Sequence, residues 1–156
     1  MEIRAYQPSD ANTLGTVFHR SVREGAQPVY TPEQVAAWCA TPPRGTGWHD
    51  RLSAHKTFVA EKDTALIGFM TLDETGYIDL AFVLPDHMGT GVATSLYVVL
   101  ENHARAEKMA RLTSQASLLA EPFFLRQGWH ITKRQTVARH GVDLPNAWMA
   151  KSLSSV

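Results

Sequence analysis

The segment Tyr77 to Thr94 constrains this chain most. An apolar run, Tyr77-Ile78-Asp79-Leu80-Ala81-Phe82-Val83, passes through Leu84-Pro85-Asp86-His87 into a turn with glycines at 89 and 91. A helical pattern follows at once: Val92, Leu96, Val99, Leu100 and His103 recur at helical spacing, to about Glu107. The first amides of a helix lack intrahelical partners, and the helix dipole places about half a positive charge there. Gly89 and Gly91 admit a bulky phosphate to the backbone, and the small Ala93 and Thr94 keep that approach open. The segment therefore reads as an anion site attached to a strand, with a plain turn between strand and helix as the alternative.

Around it the chain alternates helices and strands. Met1 to Tyr6 suits a short strand, and Pro8-Ser9-Asp10 is a helix start. Leu14, Val17, Phe18, Ser21 and Val22 give the helix that follows an inward stripe. Thr31, Pro32 and Gln34 form a capping-box start, with Val35, Trp38 and Cys39 as inner face and Pro42-Pro43 as stop. Gly45 and Gly47 mark residues 43–56 as a loop. Residues 57–61, 65–73 and 77–84 are strand-like runs separated by Lys62-Asp63-Thr64 and Glu74-Thr75-Gly76, which predicts an antiparallel meander. Residues 111–116 read as a strand, 119–126 as a short helix stopped at Gln127-Gly128, and 129–137 and 146–153 as late strands. No repeat or linker interrupts this order, and 156 residues suit one domain over 1–156.

Composition narrows the function. Hydrophobic residues at 44% and charged residues at 19% are ordinary globular usage. Fifteen Lys and Arg balance fifteen Asp and Glu, so no general attraction to nucleic acid or an anionic membrane is expected. Lys133, Arg134, Arg139 and His140 gather late in the chain and read as a solvated strand face. Cys39 is the single cysteine, which excludes an internal disulfide, and no activating motif surrounds it. The histidines at 19, 49, 55, 87, 103, 130 and 140 form no helical pair at metal-ligand spacing, so no metal site is expected. No run approaches the roughly 18 apolar residues of a membrane span, and the opening residues carry no secretion signal. A reducing, cytoplasmic setting is the expectation.

Three phosphate ligands compete for the turn. A Walker loop requires a lysine that is missing here, and a dinucleotide fingerprint requires a third glycine or alanine where Thr94 stands. The pyrophosphate of coenzyme A is the third. Here the chain resembles the GNAT superfamily of acetyltransferases, whose turn reads Arg/Gln-x-x-Gly-x-Gly/Ala. Met88-Gly89-Thr90-Gly91-Val92-Ala93 matches both small positions and departs at the first. Val83-Leu84-Pro85-Asp86 is typical of the family, and Ser117 to Trp129 is similar to its Asn-x-x-Ala-x-x-Phe-Tyr-x-x-x-Gly-Phe segment. Tyr30 to Val35 with Trp38, and Val137, Gly141, Leu144-Pro145-Asn146 and Met149, resemble a small, mostly uncharacterised bacterial subgroup.

The resemblance implies a mixed α/β GNAT fold, with a central, mostly antiparallel, twisted sheet of about seven strands flanked by about four helices. It implies direct transfer of an acetyl group from acetyl-CoA to a primary amine of a small molecule or peptide. The backbone of Ala81, Phe82 and Val83 would hold the pantetheine arm, and Met88, Gly89, Thr90, Gly91, Val92, Ala93 and Thr94 the pyrophosphate. Asp79 takes the place of the base, sharing a strand face with Ala81 and Val83; an aspartate paired with a neighbouring arginine or a turn amide is the alternative. Phe124 stands where relatives often carry a tyrosine that protonates the leaving thiolate, and phenylalanine has no proton to give. Ser117, in place of the family's asparagine, and Tyr30 are the substitutes within reach; Tyr30 and Trp38 are also the acceptor-facing candidates, and His87 a minor contact. Relatives are often dimers, so a homodimer is implied. The departures at Met88 and Phe124 leave a second reading: a module of the same fold that binds acyl-CoA without transferring it. A protein-interaction domain that has lost CoA is a third, opposed by the two glycines.

Overall fold

The computed structural model describes residues 1–154. Strand β1 (Glu2–Ala5) is followed by a 3-10 turn at Pro8–Asp10 and by helices α1 (Ala11–Gly25), α2 (Pro32–Trp38) and α3 (Gly45–Ser53). Strands β2 (Lys56–Lys62), β3 (Ala65–Leu72), β4 (Tyr77–Ile78) and β5 (Ala81–Val83) come next. Helix α4 (Val92–Ala106), β6 (Arg111–Ser117), α5 (Glu121–Arg126), β7 (His130–Arg139) and β8 (Val142–Ser152) complete the described chain.

The capping box at α2 forms as the sequence predicts: the Gln34 amide donates to Thr31 Oγ1 (3.1 Å), and the Thr31 amide donates to Gln34 Oε1 (2.9 Å). The expected 43–56 loop is instead largely helix α3. Gly45, at φ +85°, reads as a breaker but lies at the helix start, and Trp48 and Leu52 bury one face. Trp48 Nε1 donates to the Ala11 carbonyl (2.8 Å) and anchors α3 to α1.

The mixed α/β fold is as expected, with five helices rather than about four. Eight strands form two four-stranded sheets, in the orders β1-β2-β3-β5 and β4-β6-β8-β7. Every pairing is antiparallel except that of β4 with β6. The expected single strand over 77–84 is divided, because its two ends pair with different sheets: Tyr77 and Ile78 with β6, Ala81 to Val83 with β3. Side-chain hydroxyls satisfy the backbone at the division. Thr71 Oγ1 accepts from the Leu80 amide (3.0 Å), and Ser114 Oγ donates to the Ile78 carbonyl (2.8 Å). Both hydroxyl residues are buried, so these bonds replace ladder bonds that the parting strands cannot make.

Two apolar clusters flank the first sheet. Strand alternation sends Phe58 and Ala60 of β2 into one cluster, with Leu96 and Leu100 of α4, and Val59 into the other, with Leu14 and Val17 of α1. Cys39 belongs to the second, where burial pushes its thiol up to about 11, in keeping with core filling. The fold thus fixes α1 and α4 on opposite faces and opens a wedge between the sheets where β4 gives way to β5.

Candidate active site

Strand β5 is the edge of its sheet. Gly68, Phe69 and Met70 pair with Val83, Phe82 and Ala81. The Thr71 amide donates to the Leu80 carbonyl (2.9 Å) and the Leu84 amide to the Ile67 carbonyl (2.8 Å), so even-numbered residues hydrogen-bond to β3. Antiparallel alternation then turns the backbone N–H and C=O groups of Ala81 and Val83 away from β3, toward the wedge. Ser21, fully buried on α1, donates its hydroxyl to the Val83 carbonyl (2.7 Å). The Phe82 ring goes the other way and stacks on Phe18 at 4.4 Å between centroids.

Beyond β5 the chain makes a 3-10 turn at Pro85–His87 and reaches the two glycines. Gly89 (φ +75°) and Gly91 (φ +94°) lie in the left-handed region, and a Cβ on either would meet no atom within 4 Å. Gly91 is the N-cap of α4 and no side chain caps the helix. The first intrahelical bond runs from the Ser95 amide to the Gly91 carbonyl (3.0 Å), which leaves the amides of Val92, Ala93 and Thr94 at the helix mouth. Thr90 turns its hydroxyl back to the His87 carbonyl, and the Val92 side chain is buried in the core. These two residues offer the turn backbone only. Met88, at the family's Arg or Gln position, packs its side chain against Gly25: a Cβ on Gly25 would lie 2.5 Å from its terminal methyl.

Two cavities open from the wedge. One runs along β5 past Ser21 to Met88, Gly89, Gly91, Ala93 and Thr94, with His87 and Arg126 near the turn. The other contains Tyr30, Trp38, Asp79, Arg51, Arg139 and Asn146. They share Ala81, Phe82, Ser117, Ala120 and Phe124 as a common wall. An extended ligand with an anionic group at the turn would thus lie along β5 and present its far end to the second cavity.

Each predicted site residue is placed. Phe124, 1% exposed, packs on Trp129 at 4.5 Å between centroids and forms part of the wall without any polar group. Ser117 Oγ accepts from the Ala120 amide (3.1 Å) and keeps its own proton available at the junction. The Tyr30 hydroxyl donates to the Pro145 carbonyl (2.6 Å) and accepts from the Leu118 amide (3.0 Å). Burial raises its pKa, and its proton is engaged in tying β8 to the segment after β6. Trp38 lies edge-on to Tyr30 at 5.6 Å.

Asp79 lies in the break between β4 and β5, not on a strand face shared with Ala81 and Val83. Arg51 grips it with two bonds, Nε to Oδ2 at 2.7 Å and Nη2 to Oδ1 at 2.9 Å, and His55 Nε2 lies 3.5 Å from Oδ2. The arginine-paired aspartate set out as an alternative is therefore the observed geometry. Ser21, Arg51, Arg139 and Asn146 escaped the sequence reading as site residues. Ser21 left a faint signal as a polar position in an apolar stripe; Arg51 left none, lying in the supposed loop.

The family described as "Acetyltransferase (GNAT) domain" matches residues 26–151. An uncharacterized N-acetyltransferase, YafP, of Escherichia coli (strain K12) is 34% identical over 149 residues, covering 96% of this chain and 94% of that protein. Among solved structures, a GCN5-related N-acetyltransferase from Rhodopseudomonas palustris, whose name also reads "Aminotransferase, Class-II", is 34% identical with a TM-score of 0.92, covering 97% of this chain and 95% of that one. An N-acetyltransferase from Thermoplasma acidophilum, solved in complex with coenzyme A, has a TM-score of 0.71 at 15% identity, covering 97% and 98%, and shows the common fold. The glycine turn, the edge strand and these likenesses agree: the chain belongs to the GNAT acetyltransferase family.

Proposed function

We propose that this acetyltransferase moves an acetyl group from acetyl-CoA to the primary amine of a small molecule or peptide, at the wall shared by its two cavities. The observation that carries this reading is the continuity of β5. Its outward backbone leads from an uncapped helix mouth to a junction that a second cavity reaches from the opposite side. The first cavity fits acetyl-CoA, since the space a Cβ would fill at Gly89 and Gly91 is open and the amides of 92–94 have no cap.

When bound, acetyl-CoA supplies an acetyl group activated as a thioester, open to attack by an amine. Gly89 to Thr94 would hold its pyrophosphate through backbone amides, with Met88 contributing backbone alone. Ala81 and Val83 would pair with its pantetheine arm, and Ser21 keeps the Val83 carbonyl fixed for that pairing. Phe124 and Leu119 give the arm an apolar wall. Asp79, which lines the second cavity and whose carboxylate Arg51 holds, would take the proton of the incoming amine. Ser117, whose hydroxyl proton is uncommitted, serves the leaving thiolate in place of the tyrosine that Phe124 replaces. Tyr30 and Trp38 line the acceptor side as scaffold.

A calorimetric titration with acetyl-CoA, with free CoA and NAD as comparators, tests this. Binding of acetyl-CoA with NAD silent supports the assignment; silence from both CoA compounds overturns it. The polar-free Phe124 favours a second reading, a module that binds acyl-CoA without turnover. Tight binding with no thiol release from any amine is its signature.

A further inference from the structure

The acceptor cavity has an uneven distribution of charge and hydrogen-bonding capacity. Its wall contains three charged side chains, Arg51, Asp79 and Arg139. Arg51 and Asp79 neutralise one another through their paired bonds of 2.7 and 2.9 Å. Arg139 has no acidic group within ion-pair distance among the described residues, so the cavity bears one surplus positive charge. The late basic cluster is the solvated face that the sequence suggests, with Lys133, Arg134, Arg139 and His140 all exposed; Arg134 pairs with Glu121 (2.6 Å), while Arg139 is also among the residues that line the cavity. Its place is held by the next residue, since His140 Nδ1 lies 3.1 Å from the Ala37 carbonyl of α2 and pins the hairpin end there.

At the other end stands Asn146. Its Oδ1 is shielded from solvent and has no hydrogen-bond partner, a costly state for a polar atom unless a ligand supplies the donor. Asn146 lies opposite Ser117 in the β6–β8 register, and Ser117 lines both cavities. The unpartnered oxygen is therefore beside the junction. Arg139 lies opposite Val142, four residues further back along β8, about 13 Å away at strand rise. Phe18 and Trp38 give the space between an apolar, aromatic wall.

We infer that the acceptor is a small molecule with a primary amine at one end and a carboxylate at the other, of the ω-amino acid kind. Asn146 receives an N–H of the amine beside Ser117, and Arg139 binds the carboxylate, with an apolar spacer along Phe18 and Trp38. This rests on the transferase reading above and adds the class of its substrate. A charge-assisted bond to the carboxylate separates such acceptors from plain amines, and the separation in chain ends sets the spacer length.

The test is thiol release from acetyl-CoA with a length series of ω-amino acids, each beside the alkylamine of equal chain length, using the full chain. Expected is a preference in kcat/KM of about tenfold for the acids over their matched amines, greatest at one spacer length. In Arg139→Gln that ratio collapses toward one, and Arg139→Lys retains part of it. Amines that serve as well as their acids, or a preference that survives Arg139→Gln, overturn the inference and leave the transferase standing. Thiol release from neither series, with acetyl-CoA bound by calorimetry, also overturns it. Failure to bind acetyl-CoA is a different result and removes the transferase reading itself.

Discussion

Gly91 combines φ +94° with open space where a side chain would project. Gly91→Val therefore adds strain of about 1–2 kcal/mol but displaces no protein atom, and its bulk stands before the amides of 92–94. Acetyl-CoA affinity is expected to fall at least about tenfold (roughly 1.4 kcal/mol), with the fold retained; calorimetry beside a thermal melt separates the two, and unchanged affinity would dispose of the phosphate turn. Asp79→Asn keeps the side-chain shape but cannot take a proton. Turnover is expected to drop about 10²-fold or more with CoA affinity little changed. Parental turnover in that variant would exclude Asp79 as base. The glycines and Asp79 stood out in the sequence, since turn chemistry and a charged residue in an apolar run are visible locally. The grip of Arg51 on Asp79 was not legible, because 28 residues separate them and Arg51 lay among supposed loop residues. Met88 also had to be seen in place: its side chain fills space over Gly25, so the family's Arg or Gln position here serves packing.

At the scale of elements the decisive feature is the parting of β4 from β5. Nothing between Tyr77 and Leu84 is a glycine or proline, so the sequence pattern alone reads one strand. The division depends on Thr71 and Ser114, which lie on other strands and accept or donate where the ladder fails. Thr71→Val is nearly isosteric and leaves the buried Leu80 amide without its acceptor. It is expected to cost about 1–3 kcal/mol, read from urea unfolding, and to weaken acetyl-CoA binding because β5 loses its anchor. A variant as stable as the parent would show that the hydroxyl is dispensable to the wedge. Helix α3 teaches the opposite lesson. Its signal, Trp48 and Leu52 one turn apart, was present but masked by Gly45 and Gly47, and burial of those two side chains outweighs glycine's low helix propensity.

Across the whole molecule, buried and half-buried carboxylates tie the helices to the sheets. Asp10, 6% exposed, opens α1 and accepts from Arg4 (2.8 and 3.0 Å) and the Gln7 amide (2.8 Å). Desolvation pushes its pKa up, but the Arg4 and Gln7 bonds together outweigh this and hold it below the ordinary value. Glu101 is depressed likewise: desolvation opposes, and Lys151 (2.6 Å) and Tyr97 (2.7 Å) prevail, joining α4 to β8. A carboxyl depressed in the fold stabilises it above the unfolded pKa, and that stability is lost as pH falls through the folded value. The urea midpoint is thus expected to decline below about pH 4. Asp10→Asn and Glu101→Gln should each lower stability at neutral pH and flatten the decline; an unaltered acid limb in the double variant would refute the linkage. The order of elements apart from α3 and the parting of β4 from β5, the faces of α1, α2 and α4, the glycine turn and with them the family were written in the sequence, because each depends on residues near one another in the chain. The wedge, the Ser21 bond to Val83 across 62 residues, the Arg51–Asp79 pair and the meeting of Arg139 with Asn146 in one cavity were decided only by tertiary structure. Contacts between distant side chains leave no periodic mark in a single sequence, and they form only after the packed core has brought their elements together.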